Sequence, residues 1–306
     1  MFKFEKEQKI FEIGQVRVGG QPGLLPTVMV GSIFYLGDKV VTDQREGRFD
    51  EKEALRMLES EKEASLRTGN PRIIDVNGES GSALARFIDF VAEKTDDPFM
   101  IDGVSAEARI AATRHVADIG LIERAVYNSL SSDTKPEELE TIRQAGLKAA
   151  VLLLFNKRRP TVDGRLEMLR GTSEEGGLLR MAESAGINKP LVDTTVLDAQ
   201  DIGPVAKAVY LVKKEFGIPS GCGAHNAVDK WRQRRNLDEA TRLVGSAVAH
   251  TFPITMGADF ILYGPMRRAP ETYTACALAD AYVAYNMRQE FGIKPMTYGH
   301  PLFKIF

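Results

Sequence analysis

The chain has 306 residues, of which 43% are hydrophobic, and this length exceeds an ordinary domain but suits a single α/β barrel with a large core. Its formal net charge of -2 excludes an overall basic field, so we expect no nucleic-acid partner. The charged N-terminus does not fit a signal peptide, and no apolar run approaches the roughly 20 residues of a membrane-spanning helix, so we expect a cytoplasmic protein without membrane insertion.

The predicted elements begin with a hairpin over residues 9–20, inside an N-terminal extension of residues 1–25. Short β-rich runs then alternate with segments of helical period, which indicates repeated βα units and a parallel sheet. A helix over residues 50–68 opens with an acidic turn, and apolar residues at 275, 278, 279 and 282 have helical spacing. The eight predicted strands are residues 27–34, 72–76, 99–101, 125–127, 149–155, 190–192, 219–221 and 258–263.

Eight strands, each followed by a helix, predict one (β/α)8 domain, a TIM barrel, over residues 1–306. A doubly wound open sheet shows the same alternation and remains the alternative, although the number of units favours the barrel. The largest insertion follows the fifth strand at residues 160–176, where Gly, Thr, Ser and Glu cluster. This composition predicts a mobile loop.

Polar residues recur where the predicted strands end: six of the eight finish in Asp or Asn, at the edge where active sites of barrels collect. One explanation is that these residues cap the following helices. Capping would also draw on Ser and Thr, whereas carboxylates and amides alone suit a flat ligand with many N–H donors, such as a pterin. The residues that we expect to bind this ligand are Asp75, Asn77, Asp102, Asn128, Asn156, Asp193 and Asn226.

We expect no metal site. Cys222 and Cys276 form no C-x-x-C pair, and none of the four histidines belongs to an H-x-H or H-E-x-x-H motif.

Three basic clusters follow the fifth, seventh and eighth strands, and all would lie on one rim of the barrel. They are residues 157–159, then Lys230 with Arg232, Arg234 and Arg235, then Arg267 with Arg268. Two interpretations stay open: ordinary solvated loop charge, or a surface that holds an acidic ligand tail or an acidic partner protein.

Five segments carry a resemblance to a known family: residues 19–28, 31–35, 101–102, 105–111 and 127–129. The chain resembles the methyltransferases related to the MtrH subunit of tetrahydromethanopterin S-methyltransferase. Within them it resembles the bacterial enzymes that join methylcorrinoid proteins to tetrahydrofolate, as in glycine betaine demethylation. It is more distantly similar to methyltetrahydrofolate to corrinoid/iron-sulfur protein methyltransferases and other pterin-binding barrels.

The resemblance implies roles for individual residues. Asp102, Asn128 and Asp193 would hold the pterin edge, and Asn226 would lie near N5, so that Asp102 and Asn226 are the expected catalytic residues. If the seventh strand ends earlier, His225 or Ser220 would take the place of Asn226.

The resemblance also implies an activity, namely transfer of a methyl group between a corrinoid and N5 of tetrahydrofolate. Tetrahydromethanopterin is the other possible carrier. The corrinoid would arrive on a partner protein, and the enzyme would be a homodimer. Two alternatives remain: a subunit that only presents the pterin to a larger complex, and a condensation like that of dihydropteroate synthase.

Overall fold

A two-stranded hairpin opens the chain. In the computed structural model, which describes residues 1–172 and 176–306, β1 (Ile10–Ile13) pairs antiparallel with β2 (Val16–Gly19). Its buried residues Ile13, Val16 and Val18 join the same apolar cluster as residues inside the barrel. The hairpin therefore covers the N-terminal end of the barrel, and the hairpin predicted over residues 9–20 is confirmed.

Eight parallel strands close into a barrel, so the open-sheet alternative is wrong. A further hairpin of two short strands, not predicted from the sequence, interrupts the series after the first barrel strand. The barrel strands are β3 (Val28–Ile33), β6 (Arg72–Gly78), β7 (Phe99–Gly103), β8 (Ala125–Leu130), β9 (Ala149–Leu153), β10 (Lys189–Asp193), β11 (Ser220–Cys222) and β12 (Phe260–Pro265), and the extra hairpin is β4 (Val41–Asp43) with β5 (Arg48–Phe49). Each predicted strand overlaps one barrel strand, which confirms the predicted fold.

Helices surround the barrel and begin and end at residues suited to those positions. The first is capped by Asp50, which accepts hydrogen bonds from the backbone N–H of Lys52 and Glu53, and it ends at Gly69 in the left-handed region. The helices are α1 (Glu51–Thr68), α2 (Gly81–Lys94), α3 (Ala106–Asp118), α4 (Pro136–Ala145), α5 (Val162–Arg170), α6 (Leu178–Ser184), α7 (Ile202–Phe216), α8 (His225–Arg234), α9 (Glu239–Thr255), α10 (Ala269–Phe291) and α11 (Pro301–Ile305). None of the described helices combines the length and the apolar character that crossing a membrane requires.

The insertion predicted as a loop over residues 160–176 is helical over much of its length, because α5 lies inside it. Thr161 caps this helix through the backbone N–H of Gly164. A Cβ at Gly164 would lie 2.1 Å from the carbonyl oxygen of Arg159, so the glycine permits a close backbone approach here. Residues 173–175, which the prediction also covered, lie outside the described residues.

The inner face of the barrel changes from apolar to polar along the strands. Val28, Met100, Val126 and Leu191 belong to the apolar cluster inside the barrel. Because successive side chains of a strand alternate between the two faces, residues two or four positions further on also point inward. Those positions hold Ser32, Asp102, Asn128 and Asp193. A polar layer therefore lies above an apolar one at the C-terminal mouth.

Candidate active site

Three of the predicted site residues lie side by side on neighbouring strands. Asn77 of β6 pairs in register with Asp102 of β7, and Asp102 pairs with Asn128 of β8. Asp193 ends β10, which is two strands further around the barrel. The fold thus brings these four residues to one mouth, as expected for parallel strands that end at the same edge.

Asp75, two residues before Asn77 on β6, binds three of the polar side chains around it. Its Oδ2 accepts hydrogen bonds from Oγ of Ser32 at 2.7 Å and from Nδ2 of Asn77 at 3.1 Å, while its Oδ1 accepts one from Nδ2 of Asn128 at 3.1 Å. Burial raises the pKa of Asp75, and these three donors oppose the rise. With its oxygens occupied by protein donors, Asp75 orients its neighbours and leaves little capacity for a ligand.

Asp102 is different because its carboxylate has no hydrogen-bond partner anywhere in the described part of the chain. Burial and the neighbouring charge of Asp75 hold its pKa well above the usual range, and Arg109 only partly opposes them. A largely buried carboxylate without donors is costly, so a ligand that brings N–H groups would be stabilised here. Both carboxylate oxygens of Asp102 therefore remain available as acceptors.

Asp193 lies on the other side of the mouth and is 7% exposed. Its Oδ1 accepts a hydrogen bond of 2.7 Å from the backbone N–H of Thr195, and the N–H of Gly223 also stabilises the charged form. Burial nevertheless raises the pKa of Asp193 to about 6. The carboxylate is therefore largely ionised at neutral pH and can accept further donors.

Asn156 does not join this layer. Its Oδ1 accepts hydrogen bonds from the backbone N–H groups of Arg158 and Arg159, and its Nδ2 donates to the carbonyl of Gly164. The amide thus stabilises the turn between β9 and α5. Asn156 and Asp133 both line a cavity of about 610 Å³ at the rim. Because its amide binds local backbone groups, the role of Asn156 in lining the pterin pocket stays a prediction.

The three candidates for the position after the seventh strand differ in their surroundings. Ser220 is buried in β11 and donates to the carbonyl of Val209. The ring of His225 packs on Gly264, where a Cβ would lie 2.5 Å from the ring. Asn226, in the first turn of α8, is exposed, and its side chain has no hydrogen bond among the described residues. Asn226 is therefore the candidate whose side chain is exposed at the rim, whereas Nδ1 of His225 is buried without a hydrogen-bond partner in the described chain.

Helix capping does not explain the polar strand ends. The caps with side-chain hydrogen bonds at α2, α3 and α5 are Ser80, Ser105 and Thr161. None of the seven predicted site residues occupies the N-cap of a described helix. The capping alternative considered from the sequence is therefore wrong for these positions.

Two residues near the site were not predicted. Ser32, a donor to Asp75, could have been found because it continues the inward-facing series of Val28 and Val30. Arg165 of α5 is 1% exposed and donates to the carbonyl of Thr194, next to Asp193. Nothing in the sequence around Arg165 signals this contact, because it spans 29 positions of the chain.

The basic clusters on the rim are partly neutralised. Lys157 pairs with Asp133 at 2.7 Å, and Arg234 pairs with Asp198 at 2.8 Å. Within the described ranges, Arg158, Lys230, Arg235 and Arg267 form no ion pair, and Arg267 donates instead to the hydroxyl of Tyr35. Trp231 packs against α9, where a Cβ at Gly245 would lie 2.4 Å from its ring, and it serves helix packing.

Sequence comparison places the chain in a family. The family model for the MtrH subunit of tetrahydromethanopterin S-methyltransferase matches residues 6–296. The chain belongs to this MtrH family. The corresponding subunit of tetrahydromethanopterin S-methyltransferase from Methanothermobacter thermautotrophicus is 36% identical over 312 residues, with 100% of both chains covered. The one from Methanocaldococcus jannaschii is 36% identical over 320 residues, again with 100% of both chains covered.

Solved structures similar to this MtrH-family chain share its barrel. A dihydropteroate synthase of Yersinia pestis with a pterine-sulfa conjugate superposes with a TM-score of 0.61 at 17% identity, covering 90% of this chain and 98% of that chain. A dihydropteroate synthase of Coxiella burnetii in complex with pteroic acid gives 0.61 at 18% identity, covering 89% and 98%. At this level of identity the likeness concerns the fold.

Proposed function

We propose that this MtrH-family protein is a methyltransferase that moves a methyl group between a corrinoid and N5 of a reduced pterin, with tetrahydrofolate as the carrier and tetrahydromethanopterin as the other candidate. The observation that carries the proposal is the carboxylate of Asp102, which is largely buried, has a raised pKa and lacks a donor from the described protein at the barrel mouth. Family membership supplies the reaction class.

The polar layer suits the hydrogen-bonding edge of a pterin. That edge carries an exocyclic amine and a ring N–H, which can donate to a carboxylate. It also carries a carbonyl, which can accept a hydrogen bond from an amide N–H. Asp102 would accept the N–H groups. Asn128 donates from Nδ2 to Asp75, which leaves its Oδ1 without a partner among the described residues, and Asp193 supplies a second carboxylate. Asn77 lies beside Asp102 and completes the rim of this pocket.

In the direction of pterin methylation, N5 forms a bond to the methyl carbon while the bond between that carbon and cobalt breaks, and the bonding electrons stay with the corrinoid. The proton on N5 is then released to solvent water at the open rim. An amide near N5 can accept from N5–H in one state and donate to its lone pair in the other, without changing its own charge. Asn226 has a free side chain at the rim and is the residue that we assign to this task.

The corrinoid would arrive on a separate partner protein in the cytoplasm. Arg158, Lys230 and Arg235 lack ion-pair partners in the described ranges and would favour an acidic partner surface near the mouth.

We also propose a homodimer. Val244, Val248 and Phe252 lie on one face of α9 and are 66%, 60% and 44% exposed, and Tyr282 and Tyr285 of the adjacent α10 are 60% and 57% exposed. Exposed apolar faces of this kind mark association surfaces. Val248→Asp should yield a monomer in light scattering, whereas a monomeric parent protein would rule the dimer out.

One assay tests the activity. Purified protein is mixed with methylcobalamin and either tetrahydrofolate or tetrahydromethanopterin, and the alkylcobalt absorbance and the methylated pterin are followed. Turnover that is lost in Asp102→Ala would support the proposal. Pterin binding without turnover would favour the presenting subunit, to which the subunit names of the relatives lend support. Formation of a pteroate from 4-aminobenzoate would instead favour the condensation.

A further inference from the structure

Arg165 is a charged side chain buried inside the rim, away from any solvent. It lies on α5, is 1% exposed and donates from Nε to the carbonyl of Thr194 at 2.8 Å. Its two terminal nitrogens donate to the carbonyls of Thr195 at 3.1 Å and Pro160 at 3.2 Å. Its nearest carboxylate oxygen belongs to Asp201, at 3.6 Å. Backbone carbonyls of two separate loops therefore accept its hydrogen bonds, while the charges of Asp201 and Asp193 stabilise the guanidinium through space.

The carbonyls that Arg165 binds belong to the turn that follows Asp193. Thr195 has a φ of 55°, in the left-handed region that residues with a Cβ rarely adopt. In this conformation its backbone N–H donates to Oδ1 of Asp193 at 2.7 Å. Such a backbone conformation persists only where surrounding contacts hold it in place. The bonds from Arg165 to Thr194 and Thr195 are contacts of that kind.

We propose that Arg165 is a positioning residue, which holds the turn at Thr194 and Thr195 so that the carboxylate of Asp193 faces the barrel mouth. The proposal rests on the proposed function for the role of Asp193 in pterin binding. The three nitrogens of the guanidinium each donate to a different carbonyl, and a lysine, with a single nitrogen, does not reproduce this fork. The same guanidinium joins α5 to the turn that follows Asp193.

The first test needs no ligand. The pKa of Asp193 is measured by carbon-13 NMR of its carboxyl group in the parent protein and in Arg165→Lys. A released turn withdraws the N–H of Thr195 from the carboxylate, so the pKa should rise above its value of about 6. Arg170→Lys is the matched control, because Arg170 lies on the same helix and is half exposed. An unchanged pKa in a folded Arg165→Lys would overturn the proposal.

The second test is a double-mutant cycle on the affinity for tetrahydrofolate. Arg165→Lys should weaken binding about tenfold in the parent background and leave it unchanged in an Asp193→Asn background, because the arginine acts through that carboxylate. Equal weakening in both backgrounds would reveal a general structural role and contradict the proposal. If the parent protein binds no pterin at all, the proposed function fails, while the NMR titration still decides on Arg165.

Discussion

Nδ2 of Asn128 donates to Oδ1 of Asp75 at 3.1 Å, which joins two barrel strands that are separated by the strand carrying Asp102. This bond divides the polar layer into two kinds of residue. The carboxylate of Asp75 accepts hydrogen bonds from Ser32, Asn77 and Asn128, whereas that of Asp102 accepts none in the described chain. One carboxylate therefore orients amides, and its neighbour is left for a ligand.

Asp102→Ala should weaken pterin binding by about 2 kcal/mol, or roughly thirtyfold in Kd, because the ring N–H groups lose a charged acceptor. Isothermal calorimetry with tetrahydrofolate measures this directly. Asp89→Ala is the control, since Asp89 is an exposed carboxylate paired with His115 on the helix layer. An unchanged Kd for Asp102→Ala would place the pterin elsewhere.

Asp75→Ala should also weaken pterin binding, by about 1 to 2 kcal/mol, although Asp75 itself need not touch the ligand. The loss arises because Asn128 no longer has its orienting acceptor. The effects of Asp75→Ala and Asn128→Ala on Kd should therefore not add in the double variant. Fully additive losses would mean that the two residues act independently.

Asn226→Ala should lower kcat about a hundredfold and change the Kd for pterin much less, because an amide at N5 acts in the transition state. Stopped-flow measurement of the alkylcobalt absorbance under single-turnover conditions gives the rate, and calorimetry gives the Kd. A parallel loss in both quantities would assign Asn226 to holding the ligand. Gln233→Ala, at an exposed position of the same helix, serves as control.

Pterin binding should strengthen as pH rises through about 6. Burial raises the pKa of Asp193 to about 6 in the unliganded protein, and the ligand's N–H donors favour the ionised carboxylate. Below that pH the carboxyl is protonated and binding costs the removal of a proton, so affinity falls. The raised pKa of Asp102 acts in the same direction. Titration of Kd between about pH 5 and 8 checks this, and Asp193→Asn should flatten the profile around pH 6.

Asp280→Ala should destabilise the fold by about 3 kcal/mol without changing pterin affinity. At the N-terminal end of the barrel, Asp280 of α10 accepts hydrogen bonds from N and Oγ1 of Thr27 and from Nδ2 of Asn70. Truncation leaves these buried donors unsatisfied. Urea unfolding measures the loss. Asp280→Asn keeps an acceptor and should cost clearly less, and equal costs would refute the hydrogen-bond explanation.

The barrel, and the position of the candidate site at its C-terminal mouth, can be predicted from the order of residues alone. Alternating βα units predict the eight strands, and the Asp or Asn at most strand ends predicts a polar mouth, because parallel strands end at one edge. Asp102, Asn128 and Asp193 can be named in this way. The helix α5 escapes such a prediction, since its glycine and polar residues are also typical of loops. Gly164 allows a close backbone contact that has no local signature in the sequence.

The task of each polar residue, in contrast, depends on contacts that form only in the folded chain. Asp75 and Asp102 are alike in the sequence, but one meets donors from β3 and β8 and the other meets none in the described chain. Asn156 binds its own loop, and Arg165 reaches a turn 29 residues away. Periodicity determines which face a side chain takes, whereas its hydrogen-bond partner depends on strands and loops brought together from distant parts of the chain.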